Sequence, residues 1–166
     1  MAGNIESKLA EMGITLPVAA SPKVAKILNW KIAGDLLFVS GQVPRIDNEI
    51  SFIGKVGREY SLEEGQLAAR TSALMVLACI KEALGDMDRV KEVVRIKGYI
   101  NVDPDFTDVS AVLNGASELF IDLYGDPGRH SRTAVGVASM PARCAVLRSG
   151  SHQPPPCRSE PMHRVL

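Results

Sequence analysis

The 166-residue sequence has little of what most specialised chemistries require. Its three cysteines, Cys79, Cys144 and Cys157, are odd in number and far apart, which fits neither a disulfide framework nor a metal-ligand spacing. Its three histidines are His130, His152 and His163, the last two in a compositionally odd final segment, so no zinc or other metal site is expected. Aromatic residues make up only 5%, which leaves no stacking platform for bases. Lys+Arg and Asp+Glu stand at 19 each, so no net field draws a polyanion and no nucleic-acid partner is expected. No apolar run approaches the ~18 residues a spanning helix needs, and no basic stretch leads into an apolar one as in a secretory signal. A reducing cytoplasm, away from any membrane, is the expected location.

What the sequence does have is aliphatic bulk. Apolar residues make up 46% and charged residues 23%, an ordinary globular balance, and the length suits one domain with a proper core. Residues 1–146 read as that domain. Residues 147–166 differ abruptly: four prolines, three arginines, two histidines and one glutamate show neither a strand nor a helix period, so an irregular tail is expected there.

Taken in order, residues 4–12 place Ile5, Leu9 and Met12 at helical spacing, with Asn4 as N-cap and Gly13 as the stop. Residues 14–22 read as an extended connector. Two strands follow within residues 25–42, turning at Gly34-Asp35, and the run Leu36-Leu37-Phe38-Val39-Ser40 is apolar enough to be buried on both faces. Residues 46–57 form a polar excursion with a short strand at 50–53. Ser61-Leu62-Glu63-Glu64 is a capping box that opens a helix over 62–84, with Leu67, Thr71, Leu74, Leu77, Ile80 and Leu84 as its stripe and Gly85 as its end. Residues 90–100 read as the longest strand, with Val94, Ile96, Gly98 and Ile100 on one face and Val93, Arg95, Lys97 and Tyr99 on a partly wet one. Asp103-Pro104-Asp105 opens a second long helix, patterned from Val109 to Leu123 and ended by Gly125 and Pro127. Residues 142–147 supply a last short strand.

Between that helix and the last strand lies Ser131-Arg132-Thr133-Ala134-Val135-Gly136-Val137-Ala138-Ser139-Met140-Pro141, a small-residue, β-branched strand with an arginine at its head. A guanidinium is a planar fork of donors that matches a carboxylate in two parallel hydrogen bonds. Arg132 is therefore the best single candidate for gripping a small anion. Gly41, at the end of its own strand beside Ser40, permits close backbone approach by a ligand. The alternation of strands and long helices predicts an α/β (α+β) fold, a mixed sheet with two long helices on one face. The other face has only the short first helix to cover it, so an oligomer that buries sheet faces together is expected.

These pieces, in this order, resemble the RidA/YjgF family, also known as L-PSP endoribonucleases. The resemblance rests on Val39-Ser40-Gly41-Gln42-Val43-Pro44, the helix end Leu84-Gly85, Asp103-Pro104-Asp105-Phe106, and the Ser131 to Pro141 run. It is strongest to the branch with an extra N-terminal helix and a Gly-Arg-His-Ser-Arg run. The resemblance implies a chorismate-mutase-like fold, a homotrimer with sites in the clefts between subunits, and hydrolysis of reactive 2-imino and 2-enamino acids to 2-oxo acids and ammonia. It implies no cofactor. Arg132 falls on the family's carboxylate-binding arginine, Gly41 on the glycine whose backbone helps hold the ligand, and Ala134 on the position of its active-site cysteine, with Ser40 alongside as a further substrate contact.

The sequence also departs from the family. Ile27 stands near the family's tyrosine, Pro104 near its loop asparagine, and Ser149 at the glutamate that positions water. Two functional classes follow: an imine deaminase that holds its substrate on Arg132 and Gly41, or a trimer that binds small carboxylates in the same cleft without turnover, which the missing glutamate and tyrosine favour. RNA cleavage, the older family label, is opposed by the neutral charge and by the lack of a catalytic histidine pair.

Overall fold

The computed structural model describes residues 3–19 and 26–153, of which 147–153 are described by backbone alone. In chain order its elements are α1 (Asn4–Glu11), β1 (Trp30–Ala33), β2 (Leu36–Gln42), β3 (Arg45–Ile46), β4 (Glu49–Ile50), α2 (Leu62–Leu84), β5 (Glu92–Asn101), α3 (Val109–Val112), α4 (Asn114–Tyr124), β6 (Ser131–Val137) and β7 (Val146–Gln153). Five strands form one sheet in the order β1-β2-β7-β5-β6, with β5 and β6 parallel and every other pair antiparallel. The expected chorismate-mutase-like mixed sheet with its helices on one face is what the chain forms.

Local chemistry sets the element ends. Gly34 turns β1 into β2 at φ 60°, a conformation open to glycine. Asp47 and Asn48 join β3 to β4 at φ 51° and 66°, the type I′ geometry of a two-residue hairpin. The capping box at α2 forms as read: the Ser61 hydroxyl accepts from the Glu64 N–H at 3.2 Å, and the Glu64 carboxylate accepts from the Ser61 N–H at 2.8 Å. At α1 the expectation fails. Asn4 is already helical, and both Asp88 oxygens accept the orphan N–H groups, from Asn4 at 2.6 Å and from Ile5 at 2.8 Å. A cap 84 residues away leaves no local signature.

The core lies between the sheet and α2 with α4. Leu37, Val39, Ile96 and Ile100 from the strands meet Leu77, Ile80, Leu113, Leu119 and Phe120 from the helical layer, all buried. Each such side chain, fully buried, contributes about 1.5–3 kcal/mol. On α2 the buried face is turned slightly from the predicted stripe, because α4 packs beside it as well as the sheet below. Leu67 is exposed, while Ala68, Ala69, Ser72 and Ala73 are buried. The second long helix is broken. Asp103-Pro104-Asp105 is a turn closed by the Phe106 N–H on the Asp103 carbonyl, helix begins only at Val109, and the path is interrupted at Leu113.

Two strands differ from their sequence reading. A register shift between Val93 and Arg95 puts Val93 in the core and leaves Val94 half-buried, reversing the predicted faces at that end of β5. More important, β7 continues past residue 147 to Gln153 and lies in the middle of the sheet, laddered to β2 on one side and β5 on the other. Composition argued for an irregular tail from 147, but two flanking strands with open hydrogen-bonding edges override a weak local preference. The connector end at 20–22, the start of the first strand at 25 and the rest of the tail at 154–166 lie outside the described residues.

The sheet face opposite the helices carries Leu36 and Phe38, half-buried, and Tyr99 and Val135, 38% and 41% exposed. α1 does not cover it: that helix packs against α4 and the turn at 87–89. No helix among the described residues is long and apolar enough to cross a membrane.

Candidate functional site

Arg132 lies on β6, the edge strand, opposite Ile96 of β5, and on the face that looks toward the helices. Its side chain reaches the α3–α4 junction. One terminal nitrogen donates to Asn114 Oδ1 at 2.9 Å and Ser117 Oγ at 3.2 Å, and the other donates to Ser110 Oγ at 2.9 Å. Three of the five guanidinium N–H donors are thus engaged, leaving the Nε–H and one terminal hydrogen. All three acceptors are neutral, and among the described residues Arg132 has no ion pair. An exposed cation, immobilised by uncharged groups and retaining donors, is prepared to meet an anion.

Ser117 extends this arrangement. Its Oγ lies 3.0 Å from His130 Nε2, and His130 Nδ1 lies 2.6 Å from the Gly128 carbonyl. A carbonyl only accepts, so Nδ1 carries the hydrogen; in the neutral ring Nε2 then accepts from the Ser117 hydroxyl, whose lone pairs turn to Arg132. The ring is further seated edge-on against Phe120 at 6.5 Å. The sequence reading missed Ser110, Asn114 and Ser117. The signal was present: they recur at i, i+4 and i+7, a stripe of small uncharged polar residues at helical spacing.

Ala134 follows Arg132 on the same strand and face and is partly buried against the core, so these two predicted residues share one place. Gly41 and Ser40 do not join them in this chain. They sit on β2, three strand spacings from β6, roughly 14 Å across the sheet. There the register to β7 shifts between Val39 and Gln42, a bulge that leaves Gly41 exposed. The Ser40 hydroxyl donates to the Leu28 carbonyl at 2.6 Å, so it is committed to holding the strand entry. Ile27 and Pro104 are both exposed. Ser149 is in β7, paired with Lys97. Glu6, Asp86 and Asp88 bring carboxylate oxygens within 4.8 Å of one another; Asp88 caps α1, Asp86 accepts from the Asp88 N–H and one Glu6 oxygen pairs with Lys81, while Glu6 Oε2 is buried without a hydrogen-bond partner among the described residues.

Over residues 6–149 the sequence matches the family described as "YjgF/chorismate mutase-like, putative endoribonuclease". The chain belongs to the YjgF family. Protein TCP17 of Trypanosoma cruzi is 43% identical over 145 residues, 87% of this chain and 90% of that protein. The crystal structure of Atu1372 from Agrobacterium tumefaciens, of unknown function, superposes with a TM-score of 0.85 at 38% identity, covering 92% of this chain and 93% of that one. The Escherichia coli protein TdcF, solved with bound serine, shares the YjgF fold at 19% identity and a TM-score of 0.59, over 82% of this chain and 94% of its own.

Proposed function

We propose that the protein is an imine deaminase that hydrolyses small 2-imino and 2-enamino acids to 2-oxo acids and ammonia, working as a homotrimer with its sites between protomers. The observation that carries this is the state of Arg132: a guanidinium fixed by three neutral acceptors at a sheet edge, with donors left over and no ion pair among the described residues. A 2-imino acid offers a carboxylate next to an electrophilic C=N carbon. Two parallel hydrogen bonds from the free donors to that carboxylate orient the carbon for attack by water. Water adds to the C=N carbon, the nitrogen takes up a proton, and collapse of the adduct expels ammonia and leaves the 2-oxo acid. The imine hydrolyses unaided, so positioning with modest polarisation of water is sufficient catalysis.

The trimer supplies what one chain lacks. The sheet face bearing Phe38, Tyr99 and Val135, with Arg95 and Lys97 among them, has no cover within the described residues, and Gly41 is too distant from Arg132 to share a ligand within one protomer. A neighbour that sets its β2 bulge beside this chain's β6 edge answers both needs. Binding without turnover is the second reading, favoured because Ser110, Asn114 and Ser117 include neither an acid nor a base.

The discriminating experiment generates 2-iminopropionate in situ with an amino-acid oxidase and follows its loss. Wild type accelerates the loss and Arg132→Ala does not. Absence of acceleration by wild type, with pyruvate still bound, establishes the binder instead.

A further inference from the structure

At the opposite end of β6 from Arg132, separated from it by roughly 17 Å of extended strand between Arg132 and Val137, three segments close around a concavity of about 140 Å3. Gly54, Lys55, Arg58, Asn101, Ala138 and Arg143 are among the residues that line it. The Lys55 ammonium donates to Asn101 Oδ1 at 3.0 Å and to the Val102 and Ala138 carbonyls at 2.9 and 3.0 Å. Asn101 is 4% exposed and is itself locked by its amide on the Gly54 carbonyl at 2.9 Å. The cation is therefore held in place by neutral groups alone. Glu59 is the one acid in the lining; one of its oxygens accepts from the Lys55 backbone N–H at 2.7 Å and the other is 3.6 Å from Arg58 Nε. Three cations against one carboxylate leave the pocket with a formal charge of +2.

The backbone around the rim is strained. Apart from the Asp47-Asn48 turn, the described non-glycine residues with positive φ are Phe52 at 55°, Ala142 at 52° and Arg143 at 55°. All three belong to the two segments that form this rim, which are tied by the Gly54 N–H on the Arg143 carbonyl and the Ala145 N–H on the Phe52 carbonyl. Such conformations persist where surrounding structure fixes them.

We propose that this pocket binds a small oxyanion, a carboxylate or phosphate group, at a site separate from Arg132. Lys55 contributes charge without a spare donor, the Arg58 and Arg143 guanidiniums supply the hydrogen bonds, and the Ser139 hydroxyl stands in the same lining. A volume of about 140 Å3 has room for an acid or phosphate group on a short chain. The proposal does not depend on the reading of Arg132.

The test is a titration of the 15N-labelled protein with sodium phosphate and, separately, sodium acetate at constant ionic strength, following the Gly54, Lys55 and Ala138 amides. Saturable shifts are expected with at least one of the two, the tighter anion identifying the ligand class. The double variant Arg58→Ala/Arg143→Gly weakens binding at least about tenfold, and Arg132→Ala leaves it unchanged. Glycine suits φ 55° at position 143, so the turn survives, and Arg58→Ala alone alters a side chain that is 67% exposed and gives the same direction in an intact fold. No saturable shift with either anion, equal affinity in the variants, or loss of the shifts in Arg132→Ala overturns it.

Discussion

Arg132 draws its anion-binding character from what surrounds it. Ser110, Asn114 and Ser117 fix the guanidinium without neutralising it, so Arg132→Lys, which keeps the charge but loses the planar fork, is expected to weaken pyruvate binding about as severely as Arg132→Ala, by at least tenfold in a calorimetric titration. The arginine itself was legible, because its strand is short, small-residued and bounded by turns. Its supports were not, because serines and asparagine at helical spacing also read as an ordinary wet helix face. A second residue-scale consequence concerns Cys79 on α2, whose thiol is pushed up to about 12, chiefly by burial and further by the nearby Glu82 charge. The folded chain then holds a proton that the unfolded chain releases from its ordinary value of 9.0 upward. This contribution to stability is complete below that value and is lost progressively as pH rises toward 12. The urea midpoint of wild type should fall across this range more steeply than that of Cys79→Ala, and the native thiol should resist aromatic disulfide reagents at neutral pH.

Among the elements, α4 shows how a glycine permits a helix to approach another. A Cβ at Gly115 would lie 2.1 Å from the Gln66 carbonyl oxygen on α2, an impossible contact with backbone that cannot swing away. Gly115→Ala should therefore destabilise the fold by at least about 2 kcal/mol in urea unfolding, despite alanine's better helix propensity. The cap on α1 is a second case. Asp88→Ala strands two backbone donors and is expected to cost about 1–2 kcal/mol, with faster amide exchange confined to α1 and the turn at 87–89. The boundaries of α2 were readable because both of its capping partners are local. The start of α1 and the reversed faces at Val93-Val94 were not, since each is decided by a segment distant in the chain: Asp88 and the β7 register respectively.

For the molecule as a whole, the sheet's uncovered face sets the expected assembly. Tyr99→Asp places a charge beside Val135 on that face, and under the trimer reading it converts a sedimentation mass near three times 17.9 kDa to that of one chain while leaving far-UV dichroism intact. Overall class and helix placement followed from periodicity. What composition hid was β7: proline-rich surroundings masked eight residues that ladder on both edges. That strand separates β2 from β5, so the β1–β2 pair and the β5–β6 pair share no ladder without it. A chain lacking that strand would leave two half-sheets, each with a bare hydrogen-bonding edge facing the gap. Bare margins of that kind recruit strands from other molecules, so a variant that keeps β7 out of the gap should be recovered as aggregate rather than as assembled protein.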